Sequence, residues 1–376
     1  MLTARHVDDM NQPLEKAVPL PGFAYCDPGF MKEETARVLQ RNWISIGFGQ
    51  QVKSPGEIVP VTVAGQPLII VRDAAGALRV FHNVCRHRGA QLVDARCTQT
   101  GAITCPYHRW TYGLDGRCLG IPFWYRNEQK PRRPAVEDDY GLIEVRSAVW
   151  LDTIFIDLSG QARPFEQVIS PLDKRWRVPD IGPLHQAATW EGLIPANWKL
   201  VVENFLDTYH APFVHPQVGP MSVQIAHERP AISPDIIGQR CIDAAVNKPR
   251  TGPIPVIPAL ESVLGADDET YSLFPNTLLF VQRSFVSVRC VVPRSVDSSY
   301  TMNAVYLSSN AMTDDFNADR QRLQAAVALV NDQDVGILVR LQATKASLAA
   351  DRGRFVPDWD FMSHQFQVRL AQEMQA

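Results

Sequence analysis

The chain has 376 residues, 45% hydrophobic and 20% charged, an ordinary balance for a soluble globular protein and length enough for two or three domains. A formal net charge of -3 carries no global signal for nucleic acid or an acidic membrane, and no stretch approaches the roughly 18 apolar residues of a spanning helix. The seven cysteines are an odd number, and the N-terminus, MLTARHVDDMNQPLEKAVPLPG, lacks an apolar leader; metal ligands or free thiols are favoured over a disulfide framework, and a cytoplasmic location is expected.

Residues 30–43, FMKEETARVLQRNW, place Phe30, Thr35, Val38 and Leu39 on one face and predict a short amphipathic helix. From GEIVPVTVAGQPLIIVRDAAGALRVFHNV onward, β-branched runs separated at Ala64-Gly65 and Asp73 to Gly76 predict antiparallel strands. GLDGRCLGIP adds a turn, RNEQKPRRPAVEDD predicts an exposed loop, and YGLIEVRSAVWLDTIFIDLSG returns to strands that end around Ser159-Gly160. Further on, ANWKLVVENFLDTYHAPFVHP predicts a helix breaking near Pro212. The stretch from DETYSLF to NAVYLSS predicts three strands, and DDFNADRQRLQ to ATKAS a long helix with an acidic start. The expected fold class is α+β: a small antiparallel-β domain over 45–155, and a larger domain built from 1–44 and 156–376.

Within the smaller domain, residues 85–108 hold three cysteines and two histidines. Cys85-Arg-His87 and Cys105-Pro-Tyr-His108 are two short pairs with 17 residues between them, and each can present two ligands from one tight loop. Two thiolates and two imidazoles are the donor set of a Rieske [2Fe-2S] centre. A Cys2His2 zinc site is the alternative, but zinc fingers pair like with like, whereas each half here contributes one of each. Cys97 has no second ligand beside it and is left out.

CRHRG followed by CPYHRWTYGLDGRCLGIP resembles the oxygenase (alpha) component of Rieske non-haem iron oxygenases. The resemblance implies a small Rieske domain joined to a larger helix-grip catalytic domain, with Trp110 packed near the cluster. It also draws attention to ENFLDTYHAPFVH, which supplies His210 and His215, five apart. Two imidazoles and one carboxylate make the facial triad that leaves open positions on a mononuclear Fe(II). The family takes its carboxylate from a late helix, where Asp332 and Asp334 are available, and the flanking Gln333 and Gln342 assign it to Asp334. Asp207, three residues before His210 and close to one helical turn away, can share a helical face with it and hold its ring; by the resemblance it also reaches His108 of a neighbouring subunit, and Asn204 and Phe205 are candidate lining residues beside Glu203.

The resemblance further implies O2 as co-substrate and a head-to-tail homotrimer. Electrons come one at a time from NADH or NADPH through a separate flavin/iron-sulfur reductase or ferredoxin. The chain itself has no Gly-x-Gly-x-x-Gly fingerprint, so the nicotinamide chemistry is expected in trans. The tail, QDVGILVRLQ and SLAADRGRFVPDWDFMSHQFQVRL, is similar to the choline monooxygenase, glycine betaine and carnitine oxygenase group, implying a quaternary ammonium substrate. Phe205, Tyr271, Phe274, Phe280 and Trp359 are the aromatics available for a cation–π cage. An aromatic ring or aromatic acid is the competing substrate class, with Arg283 or Arg289 as anchor unless these are exposed strand arginines. A Rieske electron carrier without oxygenase activity is the alternative of another class.

Overall fold

The structure, a computed structural model, describes residues 1–124, 140–217, 226–242 and 253–375. The chain divides into two compact units, residues 1–45 with 161–376 and residues 46–160. The proline-bearing stretch 126–139, expected as a loop, lies outside the described residues.

Helix α1 (Ala4–Met10) and the short helices α2 (Phe23–Cys26) and α3 (Pro28–Glu34) open the chain, and α3 runs on as a π-helical turn over Thr35–Leu39. Phe30, Val38 and Leu39 are buried, as the amphipathic pattern requires. Glu34 is buried as well, because Lys199 Nζ lies 2.8 Å from its Oε1 and Trp198 Nε1 donates to its Oε2 at 2.7 Å.

After β1 (Ile44–Phe48), the smaller unit builds a four-stranded sheet in the order β4-β3-β2-β5, from β2 (Glu57–Val63), β3 (Gln66–Arg72), β4 (Leu78–His82) and β5 (Cys97–Thr98). Local chemistry sets its turns. Ala64 and Gly65 both take positive φ (49° and 76°), the two-residue hairpin whose twist matches the flanking strands. At the next turn Asp73 Oδ1 accepts from the amides of Ala75 and Ala77. Strands β6 (Ala102–Thr104), β7 (Thr111–Gly113) and β8 (Cys118–Gly120) form a second sheet, and β9 (Arg146–Trp150) pairs with β10 (Thr153–Asp157). One apolar cluster joins Ile58, Ile69, Phe81, Ile103 and Tyr112, and it takes in Cys85 and Cys105.

The larger unit continues with α4 (Phe165–Trp176) and a seven-stranded antiparallel sheet in the order β11-β17-β16-β15-β14-β13-β12. Its strands are β11 (Leu184–Ile194), β12 (His227–Glu228), β13 (Ile236–Cys241), β14 (Asp268–Leu273), β15 (Thr277–Gln282), β16 (Phe285–Ser295) and β17 (Ser298–Ser308). Four strands stand where three were expected after residue 267. The missed break is the two-residue turn Arg283-Ser284 between the paired Gln282 and Phe285, which contains no Gly, Pro, Asn or Asp to announce it.

Helices α5 (Trp198–Leu206), α6 (Ala211–Val214), α7 (Pro258–Leu264), α8 (Asn317–Thr344) and α9 (Phe361–Gln375) complete the unit. Helix α8 packs on β11 and α5, and α9 packs on α1 and β13. The helix expected to break near Pro212 ends earlier, at Leu206, with Asp207 as its extended C-cap (φ -82°, ψ 109°). Pro212 instead sits in the first turn of α6, where a missing N–H leaves no intrahelical bond unmade. No described helix is long and apolar enough to cross a membrane.

Candidate metal centres

Two loops with the same backbone present the first four candidate ligands. The Cys85 amide donates to Ala90 O at 2.8 Å and its carbonyl accepts from Gly89 at 3.0 Å; likewise Cys105 donates to Trp110 O at 2.8 Å and accepts from Arg109 at 3.1 Å. The residue four after each cysteine is left-handed, Gly89 at φ 72° and Arg109 at φ 59°. Glycine takes that conformation freely, whereas an L-side chain there costs about 1–2 kcal/mol, so the second loop carries local strain. The repeated geometry buries both cysteines and leaves His87 and His108 exposed.

The imidazoles are paired, with Nδ1 atoms 3.1 Å apart and ring centres 4.7 Å apart. Trp110 lies flat on His87 at 5.0 Å and 4°. Among the described residues, no three of these four ligands bring their donor atoms within 4.8 Å of one another. A single tetrahedral zinc, with bonds of about 2.0–2.3 Å, would need all four inside that distance. Buried thiols on one side and paired imidazoles on the other suit a two-iron core. Cys97, left out on spacing, is a β5 residue paired with Ile58 of β2. A hollow of about 830 Å³ lies beside the imidazoles, lined in part by Arg86, Arg109, Phe123 and Trp124.

In the larger unit, His210, His215 and Asp334 bring their donor atoms together. Nε2 of His210 and Nε2 of His215 are 3.3 Å apart, and Asp334 Oδ1 lies 3.5 Å from the first and 3.1 Å from the second. The early end of α5 makes this possible: the chain leaves the helix at Asp207, and α6 holds the two histidines at its two ends. Asp334 comes from the middle of α8, on the buried face with Asn331 and Leu338. Asp332 points elsewhere, accepting from Trp190 Nε1 of β11 at 3.0 Å.

The electrostatics fit a cation at this trio. Asp334 Oδ1 and His210 Nδ1 are buried yet lack hydrogen-bond partners among the described residues. Burial alone would push His210 down, but Asp207 and Asp334 outweigh it and hold its pKa at about 9. For Asp334, burial pushes upward and is outweighed by His210, His215, Arg289 and Asn204, so its carboxyl titrates well below the usual range. Two carboxylates thus favour positive charge at His210, a role an ion bound to the open nitrogens takes over. Edges of 3.1–3.5 Å are what three donors produce when bound to one ion at about 2.0–2.2 Å.

The partners behind the trio differ. His210 Nδ1 faces Asp207 Oδ2 at 3.5 Å, the pairing expected from sequence but reached through a loop and not along one helical face. His215 Nδ1 meets Gln333 Oε1 at 2.8 Å, and Gln217 Nε2 donates to the same oxygen at 2.9 Å. Gln342 accepts from the Asn197 amide at 2.8 Å, tying α8 to the start of α5. Glu203 turns away from the trio and accepts from the Tyr25 hydroxyl at 2.7 Å; burial raises its pKa. Asn204 is buried near Asp334, and half-buried Phe205 lies under the Arg289 guanidinium at 5.2 Å.

The five aromatics considered for a cage contact different partners. Tyr271 packs on Trp176, Phe274 on Phe366, Phe280 on Phe285 and Trp359 on Tyr209. Arg283 is half-buried beside Glu261 (3.4 Å), whereas Arg289 is buried, against the reading as an exposed strand arginine. Sequence reasoning missed the Tyr112 hydroxyl, 3.2 Å from Cys85 Sγ, and Asn331, which accepts from Arg289. Asn331 stands three residues before Asp334, so helical spacing from a proposed ligand could have found it; nothing local marks Tyr112.

A family pattern described as the ring hydroxylating alpha subunit (catalytic domain) matches residues 175–376, and one described as a Rieske [2Fe-2S] domain matches residues 42–129. The glycine betaine monooxygenase oxygenase subunit of Pseudomonas aeruginosa (strain UCBPP-PA14) is 28% identical over 212 residues, 56% of this chain and 48% of that protein. The carnitine monooxygenase oxygenase subunit of Escherichia coli (strain K12) is 29% identical over 204 residues (54% and 53%). The large oxygenase component of salicylate 5-hydroxylase from Ralstonia sp is 29% identical over 216 residues (55% and 51%). The chain thus spans about half the length of the curated relatives it matches. Among solved structures, a quaternary ammonium Rieske monooxygenase in complex with L-carnitine superposes with a TM-score of 0.76 at 21% identity, over 98% of this chain and 99% of that one. Naphthalene 1,2-dioxygenase from Rhodococcus sp. bound to indole gives 0.76 at 19% identity, over 100% and 98%. At these identities the likeness is one of fold.

Proposed function

Because the chain belongs to the ring hydroxylating alpha subunit family and carries a Rieske [2Fe-2S] domain, we propose that it is the terminal oxygenase of a multicomponent system. It uses O2 and electrons from a separate reductase or ferredoxin to hydroxylate or N-demethylate a small substrate. Cys85 and Cys105 hold one iron of the cluster and His87 and His108 the other, while His210, His215 and Asp334 hold the mononuclear iron. When bound, the cluster supplies single electrons and the iron supplies the oxygen chemistry.

The observation that carries this reading is the convergence of two imidazole nitrogens and a buried carboxylate oxygen that has no hydrogen-bond partner among the described residues. The remaining residues position the donors. Gln333 takes the far nitrogen of His215 and Asp207 stands 3.5 Å behind that of His210, an arrangement that keeps each Nε2 toward the open centre. An electron carrier needs no second donor set of this kind, and the catalytic-domain match over 175–376 stands against that alternative.

A quaternary ammonium compound is the substrate class we favour, since relatives act on glycine betaine and carnitine. The salicylate relative supports an aromatic acid as the second reading. We further place the chain in a head-to-tail homotrimer, in which Asp207 joins His210 to His108 of the next copy; inter-subunit electron transfer is described for a quaternary ammonium Rieske monooxygenase of similar fold. A cytoplasmic location suits seven cysteines of which none forms a disulfide. Replacing Asp334 with Ala tests the reading. Turnover and mononuclear iron are expected to be lost while the Rieske visible spectrum persists; unchanged turnover removes Asp334 from the centre. Turnover is followed as oxygen uptake with a matched reductase against betaines, carnitine, choline and benzoates, always compared with product formed.

A further inference from the structure

Arg289 is a buried cation beside the candidate iron centre with no carboxylate among the described residues to pair with. It is 6% exposed on β16, where its Nη2 donates to Asn331 Oδ1 at 2.6 Å and its Nε has no hydrogen-bond partner. No described carboxylate forms an ion pair with it; the acid that acts on it through space is Asp334, whose charge the metal centre also claims. Burial pushes its pKa below the ordinary arginine range while Asp334 pushes the other way. A guanidinium taken out of water without a counter-ion is strongly unfavourable unless a ligand completes it.

Its surroundings place it at the centre and not in remote packing. Phe205, under the guanidinium, belongs to α5 next to Asn204, and Asn331 lies three residues before Asp334 on α8. Arg289 therefore stands one side chain away from the donor trio along two helices. On the sheet it pairs with Asn303 of β17, which accepts from Ser287 Oγ at 3.0 Å, so the three make a polar patch on neighbouring strands.

We infer that Arg289 anchors a carboxylate of the substrate, which makes the substrate a small carboxylic acid or zwitterion and not a neutral or purely cationic molecule. The inference rests on the oxygenase reading above. A carboxylate offers acceptors only and matches the planar fork of an arginine, one arm of which is already set by Asn331. A compound whose sole charge is an ammonium group places a cation against a buried cation.

The test uses metal-complete protein titrated by calorimetry, without reductase, with two probe pairs: benzoate against benzamide, and glycine betaine against choline. In at least one pair the acid is expected to bind tenfold or more tightly than its partner. Arg289→Gln should abolish that preference while leaving iron content and the Rieske spectrum in place. Asn331→Asp covers the case in which Arg289→Gln does not fold: it keeps the guanidinium but pairs it internally, and the preference should again disappear. No acid preference in the unaltered protein, or a preference that survives either variant, overturns the anchor. Absence of mononuclear iron from freshly reconstituted protein sinks the oxygenase reading instead, whereas metal-complete protein without the preference sinks the anchor alone.

Discussion

His210 and His215 offer the same nitrogen to the same centre but lean on different partners. A carboxylate behind an imidazole makes it a stronger donor, whereas a neutral amide only fixes its tautomer and angle. Asp207 stands behind the first at 3.5 Å and Gln333 behind the second at 2.8 Å. Replacing Gln333 with Leu is expected to weaken iron binding by roughly 10–100-fold, measured by chelator competition, with the Rieske spectrum unaltered. Asp207→Asn keeps a group able to sit behind His210 but removes the charge. Both metals are expected to remain, while product formation in a reduced single turnover slows; a normal rate would reject Asp207 as a link between centres. The choice between Asp332 and Asp334 shows how far a residue-scale reading reaches. Two acids two positions apart share composition and neighbourhood, and the structure separates them by turning Asp332 to Trp190 on a distant strand and Asp334 to the two histidines.

At the scale of elements, α5 has to be held in place, because its end delivers Asp207 and the turn toward His210. Much of that hold is a buried ion pair. Lys199 and Glu34 have fully buried side chains 2.8 Å apart, and burial lowers the lysine pKa. The Glu203–Tyr25 bond continues the contact one turn further along the helix. Lys199→Met leaves Glu34 without a counter-ion and is expected to cost about 3–5 kcal/mol in urea unfolding. Adding Glu34→Gln, which keeps an acceptor for Trp198, should restore most of the loss. The strands of the smaller unit announce themselves by β-branched runs and turn residues. The Arg283-Ser284 turn and the early end of α5 do not, because tertiary packing and not local preference places them.

For the whole molecule, one chain carries two donor sets of different character: paired thiols and imidazoles in one unit, two imidazoles and a carboxylate in the other. Purified, fully loaded protein is expected to contain three irons per chain, two with the Rieske absorption; two irons after reconstitution would leave the second centre without a metal. The ligand spacings in residues 85–108 and 203–215 are properties of the linear chain, since short loops bring close neighbours together wherever the rest of the protein goes. Sequence by itself therefore determined the two donor motifs, the β-then-α+β order of the chain and, through resemblance, the class of chemistry. What only the tertiary structure decided are the pairings between residues more than a hundred positions apart: His215 with Gln333, Glu34 with Lys199, Trp190 with Asp332. The burial of Arg289 belongs with them. Such contacts depend on which helix face meets which strand, and no local pattern in the chain encodes that meeting.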